Sequence, residues 1–444
     1  MADLLNAFAI AGGITKAASA NFAMGGNGAS GGVAREVTVN SSSDITTLGD
    51  ESHGPFPQSV GGGGGSGGFA VPGDISVESG SAGISIGGQG AGGGTSSTVT
   101  LGSLLDPLTG ELRTSGWRSF GLVGQRVGGG GGDGGFAVAG SISQGPSARL
   151  AVGGGGGAGN NSGRVNVFSA NTITTGGDDA HGLFAQSLGG GGGSGGFAVA
   201  GSISKESGSV NASIGGFGDE GGDSQTVSVV KTGGSITTSG NNAHALYAES
   251  VGGGGGHGGF AVAGSITKSA SVNFSLGGFG DSGGHGNEVS VRSASDLTTH
   301  GAGSHALFAQ SVGGGGGNGG FAVGGSLFSN DPANASVNVA FGGYGADGGD
   351  GRAVRVGATD DLVRGNISTS GERSYGIFAQ SVGKGGGNGG FSIAGGFSKS
   401  PTATLSVGGG GGDGGNSGLV DLFSNATVTT QGNNSHGVWA QSVG

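Results

Sequence analysis

Residues Gly280-Asp-Ser-Gly-Gly284 reproduce the pentapeptide that surrounds the nucleophile of many serine proteases. A nucleophilic serine needs a histidine base within hydrogen-bond reach and a carboxylate that orients the base. No Ala-Ala-His-Cys segment accompanies Ser282, and the chain contains no cysteine. Other copies of the same phrase put Glu220 and Asp347 in the serine's place. A glycine-rich turn that takes Ser, Glu or Asp explains the match, so no catalytic residue is assigned.

Histidine recurs as His53, His181, His244, His305 and His436. An evenly spaced imidazole column has the chemistry to hold a metal or to titrate near neutral pH. The same slot holds Phe120 and Tyr375, however, so it selects a flat ring. Stacking along a ladder is the expected role, and His244→Phe is expected to be tolerated. Gln58, Gln125, Gln186, Gln310, Gln380 and Gln441 share a second slot, occupied once by Glu249. Stacked amides hydrogen-bond along an axis, and the lone carboxylate is expected at an exposed column. Gly342-Gly-Tyr-Gly-Ala-Asp347 resembles the start of a calcium-binding nonapeptide, but Gly349 fills the slot that needs a large apolar residue. Asp219, Glu220 and Asp223 leave only isolated carboxylates. Gly383-Lys384 lacks the Ser/Thr of a phosphate loop. The pairs Thr174-Thr175, Thr237-Thr238, Thr298-Thr299 and Thr429-Thr430 need only β-propensity. No metal and no cofactor are expected.

These residues recur because the chain does. A phenylalanine follows a glycine tract at Phe8, Phe69, Phe136, Phe197, Phe260, Phe321 and Phe391, spaced by 61, 67, 61, 63, 61 and 70 residues. A fixed period of this size marks a repeat array whose units bury apolar faces on their neighbours. The approximate units are 1–60, 61–127, 128–188, 189–251, 252–312, 313–382 and 383–444. The chain enters mid-repeat at Asn6 and stops mid-repeat at Gly444, as expected of a piece of a longer protein.

Within a unit, Phe197-Ala-Val-Ala-Gly-Ser-Ile203 and Val210-Asn-Ala-Ser-Ile214 alternate as half-buried strands. Joined by Lys205-Glu-Ser-Gly208, they read as an antiparallel hairpin. Pairing them brings together the glycine tracts on either side, where absent side chains permit close approach; Gly254→Val is therefore expected to disrupt the packing. Val227-Ser-Val229, Ile236-Thr-Thr238 and His244 to Ala248 are short β-prone runs, with a coil expected about every 26 residues. The fold class is all-β: an elongated β-solenoid or β-helix array with hairpin excursions and packed polyglycine tracts. Its longest departures from consensus, Leu101 to Leu112 and Asp360 to Asn366, are too short for a catalytic domain.

Glycine supplies 120 of 444 residues without the every-third period of collagen. A net charge of −11 without a basic cluster argues against nucleic acid and anionic membranes. No apolar run is long enough for a membrane helix, and Met1-Ala-Asp-Leu-Leu shows no signal peptide.

The phrases Ile236-Thr-Thr-Ser-Gly-Asn-Asn-Ala-His-Ala-Leu-Tyr-Ala-Glu-Ser250 and Tyr375-Gly-Ile-Phe-Ala-Gln-Ser-Val382 resemble the glycine-rich repeats of large autotransporter passengers (type V secretion) of Gram-negative bacteria. The resemblance runs along the whole chain at the level of the repeat. It implies export through an outer-membrane β-barrel translocator and an extracellular or cell-surface location. The function expected is a structural and adhesive rod rather than an enzyme, and the partners are a host or abiotic surface, a carbohydrate or another copy. The alternatives are a stalk for an effector or enzyme module outside this segment and a self-assembling glycine-rich fibre.

Overall fold

The computed structural model describes residues 8–327 and 334–444; Met1-Ala-Asp-Leu-Leu lies outside them. The strands form five parallel seven-stranded sheets, here sheets A to E in chain order. Each unit gives one strand to each sheet. In the unit 189–251 these are Ala198–Ser204, Ser209–Ile214, Val227–Lys231, Ser235–Thr238 and Leu246–Val251. Equivalent residues pair in register from unit to unit, as Val199 with Val262 and Ile236 with Leu297. The chain is a β-solenoid.

Two expectations are corrected. One coil takes a whole unit of 61 to 70 residues rather than about 26. The three short strands of C, D and E do not close the coil, because the glycine tracts carry the chain out to A and B and back. The hairpin is also replaced. Ala198–Ser204 and Ser209–Ile214 belong to sheets A and B, which pack face to face as an arch, and each strand hydrogen-bonds to its own equivalent one unit away. In-register stacking sets like side chains against like, an option that local alternation does not reveal.

The tracts between arch and coil are ordered. Gly252, Gly255 and Gly258 donate their N–H groups to Val312, Gly315 and Asn318 of the next unit at 2.8–2.9 Å. Gly253, Gly256 and Gly259 donate across to Gly222, Asp219 and Gly216 at 2.8–2.9 Å. Bonding that repeats every third residue is the geometry of a polyproline-II-type helix, here built of glycine and bonded to its neighbours. The third position, Gly254, His257 and then Phe260, faces outward. A Cβ on Gly253 would lie 2.0 Å from the Gly190 carbonyl oxygen, whereas one on Gly254 meets nothing nearer than 3.7 Å. Gly254→Val is therefore not the disruptive change expected above; Gly252, Gly253, Gly255 and Gly256 are the positions of this tract that admit no side chain.

Sheets C, D and E enclose a prism filled by Val227, Val229, Ile236, Leu246 and Ala248 and their equivalents. Burial of each such Leu, Ile or Val stabilises by about 1.5–3 kcal/mol. The departures noted above lie at the C–D corner and still feed this core, through Leu108 and Val363. At the D–E corner, Glu51, Arg118, Asp179, Asn242, Arg373 and Asn434 all take a left-handed φ of 50–53°. Thr175, Thr238, Thr299 and Thr430 close the same corner by donating to a carbonyl five residues on, at 2.5–3.0 Å.

Candidate interaction face and internal ladders

The ring slot sits just after that corner and forms one continuous column. Phe120, His181, His244, His305 and Tyr375 stack at 4.7–5.1 Å with planes within 11°. His53 and His436 join its two ends at 5.0 and 5.1 Å, tilted by 32° and 38°. A second aromatic column, which the sequence reading missed, stands edge-on to the first. It includes Tyr247, Phe308 and Phe378, stacked at 4.7 and 4.8 Å, and its rings meet His244, His305 and Tyr375 at 87–89°.

Each histidine does more than stack. Nδ1 of His53, His181, His244 and His305 accepts the backbone N–H of the next ring residue at 2.9–3.2 Å. That acceptor requires the imidazole to be neutral. Burial pushes His181 and His305 down to about 4, and burial plus its two histidine neighbours push His244 well below the usual value. Among the described residues, no three His, Cys, Asp or Glu side chains group as a metal site.

The glutamine slot runs along sheet E as a ladder with a reversal. Gln58 donates to Gln125 and Gln125 to Gln186, each at 2.5 Å, and Gln186 donates to Glu249. From the other end, Gln441 donates to Gln380 and Gln380 to Gln310, each at 2.7 Å, and Gln310 donates to Glu249 at 2.6 Å. A carboxylate only accepts, so the amides on both sides turn their N–H groups toward it. Tyr247, in a slot that other units fill with Phe, Val123 or Trp439, adds a third donor at 2.6 Å. Glu249 is 7 % exposed, so the expectation of an exposed column is corrected: three donors offset its burial.

The remaining candidates have structural roles. The Ser282 hydroxyl touches Asp281 at 3.4 Å, and the nearby His285 uses Nδ1 to accept the Asp350 N–H at 2.9 Å. Lys384 lies in the glycine lattice through its backbone. Lys231, 1 % exposed, donates to the Asn171 carbonyl at 2.6 Å and to that of Gly233, and burial lowers its pKa to about 7. Arg126, 0 % exposed, fills a slot that Ser59 and Ser187 occupy elsewhere. Both cations are closed to a ligand from solution.

The arch presents the surface that stands out. Its interior is small and polar: Ala198, Ala200, Ser202 and Ser204 face Ser209, Asn211 and Ser213. Asn211 donates to Asn273 at 3.0 Å and Asn273 to Asn338 at 2.8 Å, an axial amide column. One unit before Asn211 the slot holds Arg149, which forms a buried ion pair at 2.8 Å with Asp74 of the preceding unit, where Gly83 leaves room for it. Outside, sheet A carries four axial columns, exemplified by Phe197, Val199, Gly201 and Ile203. The phenylalanines stack at 4.7–5.1 Å within 8° along all seven units. Sheet B likewise turns Val210, Ala212 and Ile214 outward.

No protein-family model matches this chain, and no curated protein aligns significantly with it.

Proposed function

We propose that the chain is part of an extracellular structural and adhesive array, a passenger segment of a Gram-negative autotransporter, that works through its broad lateral faces. The repeat phrases support the export route. The rise per unit supports the emphasis on faces. Each unit of 61 to 70 residues adds one strand, and so only about 4.8 Å of height. A stalk built this way gains little reach per residue, whereas a surface built this way repeats the same columns at every rung. Many weak identical contacts then add through avidity. Apolar or protein surfaces fit the sheet A face better than sugars do, because the stacked phenylalanines offer ring edges while their flat faces are taken by each other.

The test is antibody labelling of intact producing cells, with binding of those cells to apolar and to glycan-coated beads as a second readout. Labelling without permeabilisation, together with capture on apolar beads that an excess of the purified chain inhibits, is the expected result. Labelling only after permeabilisation overturns the surface assignment.

A further inference from the structure

A glycine in a strand interior costs stability unless something needs the space. Inside the tracts the need is internal, because a neighbouring carbonyl lies where a side chain would go. The glycine column on the outside of sheet A is different. Gly73, Gly140, Gly201, Gly264, Gly325 and Gly395 occupy it in successive units. A Cβ on Gly73, Gly140 or Gly395 would meet no atom within 4 Å, and on Gly201 or Gly264 nothing nearer than 3.8 Å. None of these glycines has a positive φ. In these six units nothing within the chain excludes a side chain from the column, yet each leaves it bare; only at its end, where a Cβ on Gly12 would lie 2.8 Å from the Gly73 carbonyl oxygen, is there an internal reason for glycine. The demand for space comes from outside.

We infer that the outer face of sheet A is a docking face for a second copy of this chain, whose valine column fills the glycine groove. Order and spacing of the columns favour this occupant. Valine and glycine columns are adjacent, with phenylalanine beyond the one and isoleucine beyond the other. A twofold axis running between the two inner columns, along the stacking direction, lays each valine column over the partner's glycine column. The same rotation sets isoleucine opposite phenylalanine. Both copies share one rung spacing, so the fit repeats at every strand. The contact is isologous and closes as a dimer.

Area and polarity agree. Seven strands of about seven residues give a footprint of roughly 750 Å² per copy, against about 800 Å² for a standard stable interface. No outward side chain of this sheet in the central units is charged, and Ile203 and Ile266, 38 % and 39 % exposed, leave apolar area still to cover. The backbone groups are already paired within the sheet, and a parallel sheet is ordinarily covered on both faces. A bilayer is the poorer occupant. Strands of about 23 Å fall short of a hydrocarbon core of about 30 Å, which would leave the arch-tip charges Lys205, Glu206 and Lys268 inside it.

Sedimentation equilibrium of the chain tests the inference, with the double variant Gly201→Val/Gly264→Val as its probe. Valine suits a strand and has room here, so the variant should keep the parental circular dichroism while its dimer weakens at least tenfold. If that variant fails to fold, Ile203→Lys/Ile266→Lys takes its place with the same expected loss. Mixing Val199→Cys and Gly201→Cys chains should give more bismaleimide-linked dimer than either chain alone. A parent that stays monomeric at 100-fold the concentration used for spectroscopy overturns the inference, as does a filled-groove variant that dimerises like the parent. Flotation of a monomeric parent with phosphatidylcholine vesicles also overturns it and makes lipid the occupant.

Discussion

The prism of sheets C, D and E and the arch of sheets A and B are made by the same chain at the same rungs, yet their polarity is opposite. The prism buries Val229, Ile236 and Leu246 and turns Ser228 and Thr237 outward. The arch buries Ser202, Asn211 and Ser213 and turns Val199, Ile203 and Ile214 outward. Apolar burial holds the prism. Side-chain hydrogen bonds running along the axis hold the arch, and its apolar area is left for something else to cover. Stacking identical units makes both solutions possible, since an asparagine column donates from each rung to the next.

Acid should separate the two regions most strongly. The prism corner depends on neutral histidines whose folded-state pKa values lie below the unfolded value of 6.5. Their contribution is complete above pH 6.5 and is lost as pH falls toward 4. His181 and His305 each account for on the order of 3 kcal/mol over that window. The asparagine column of the arch carries no titratable group. Hydrogen exchange at pH 4.5 should show the corner opening before the arch between Asn211 and Asn338; equal protection of both would contradict the assignment.

Next comes the buried Arg149–Asp74 pair of the arch. Asp74→Ala strands Arg149 without its carboxylate and should cost about 3–5 kcal/mol, against about 1–3 kcal/mol for Asn211→Ala, which leaves uncharged partners unsatisfied. Denaturant titration of both variants measures the difference. The waist between the regions gives a paired test: Gly253→Ala should destabilise by at least about 1–3 kcal/mol through overpacking, while Gly254→Ala should stay within about 0.5 kcal/mol of the parent. Similar melting of the two would remove the period-three lattice. The smallest effect is a gain. Arg373→Gly relieves a left-handed residue at the D–E corner and should stabilise by about 1 kcal/mol, read as a small rise in melting temperature.

Much of this architecture was legible because the chain aligns with itself. Ring and amide slots stand out when His244 is set beside Phe120 and Tyr375, and Gln310 beside Glu249. What escaped was which neighbour each group would meet. Alternation in Phe197 to Ile203 shows that a strand has two faces without showing whether its partner lies across the turn or one unit away. Phe120 and Tyr375 hide the acceptor role of Nδ1, because neither can replace it. The phase of the glycine tract is invisible in five consecutive glycines, though Ser194 and Phe197, or His257 and Phe260, mark it at a spacing of three. Tyr247 was readable as the one hydroxyl in a phenylalanine column, two residues from the one carboxylate.

That carboxylate limits how such an array can lengthen. Duplicating a unit that carries glutamine inserts one more amide pointing the same way, and every donor still finds an acceptor. Duplicating the unit of Glu249 sets two carboxylates on adjacent rungs, acceptor against acceptor with no proton to share. At the level of the gene, the repeats are therefore not equivalent templates for this column: a glutamine rung can be copied in place, and the glutamate rung cannot.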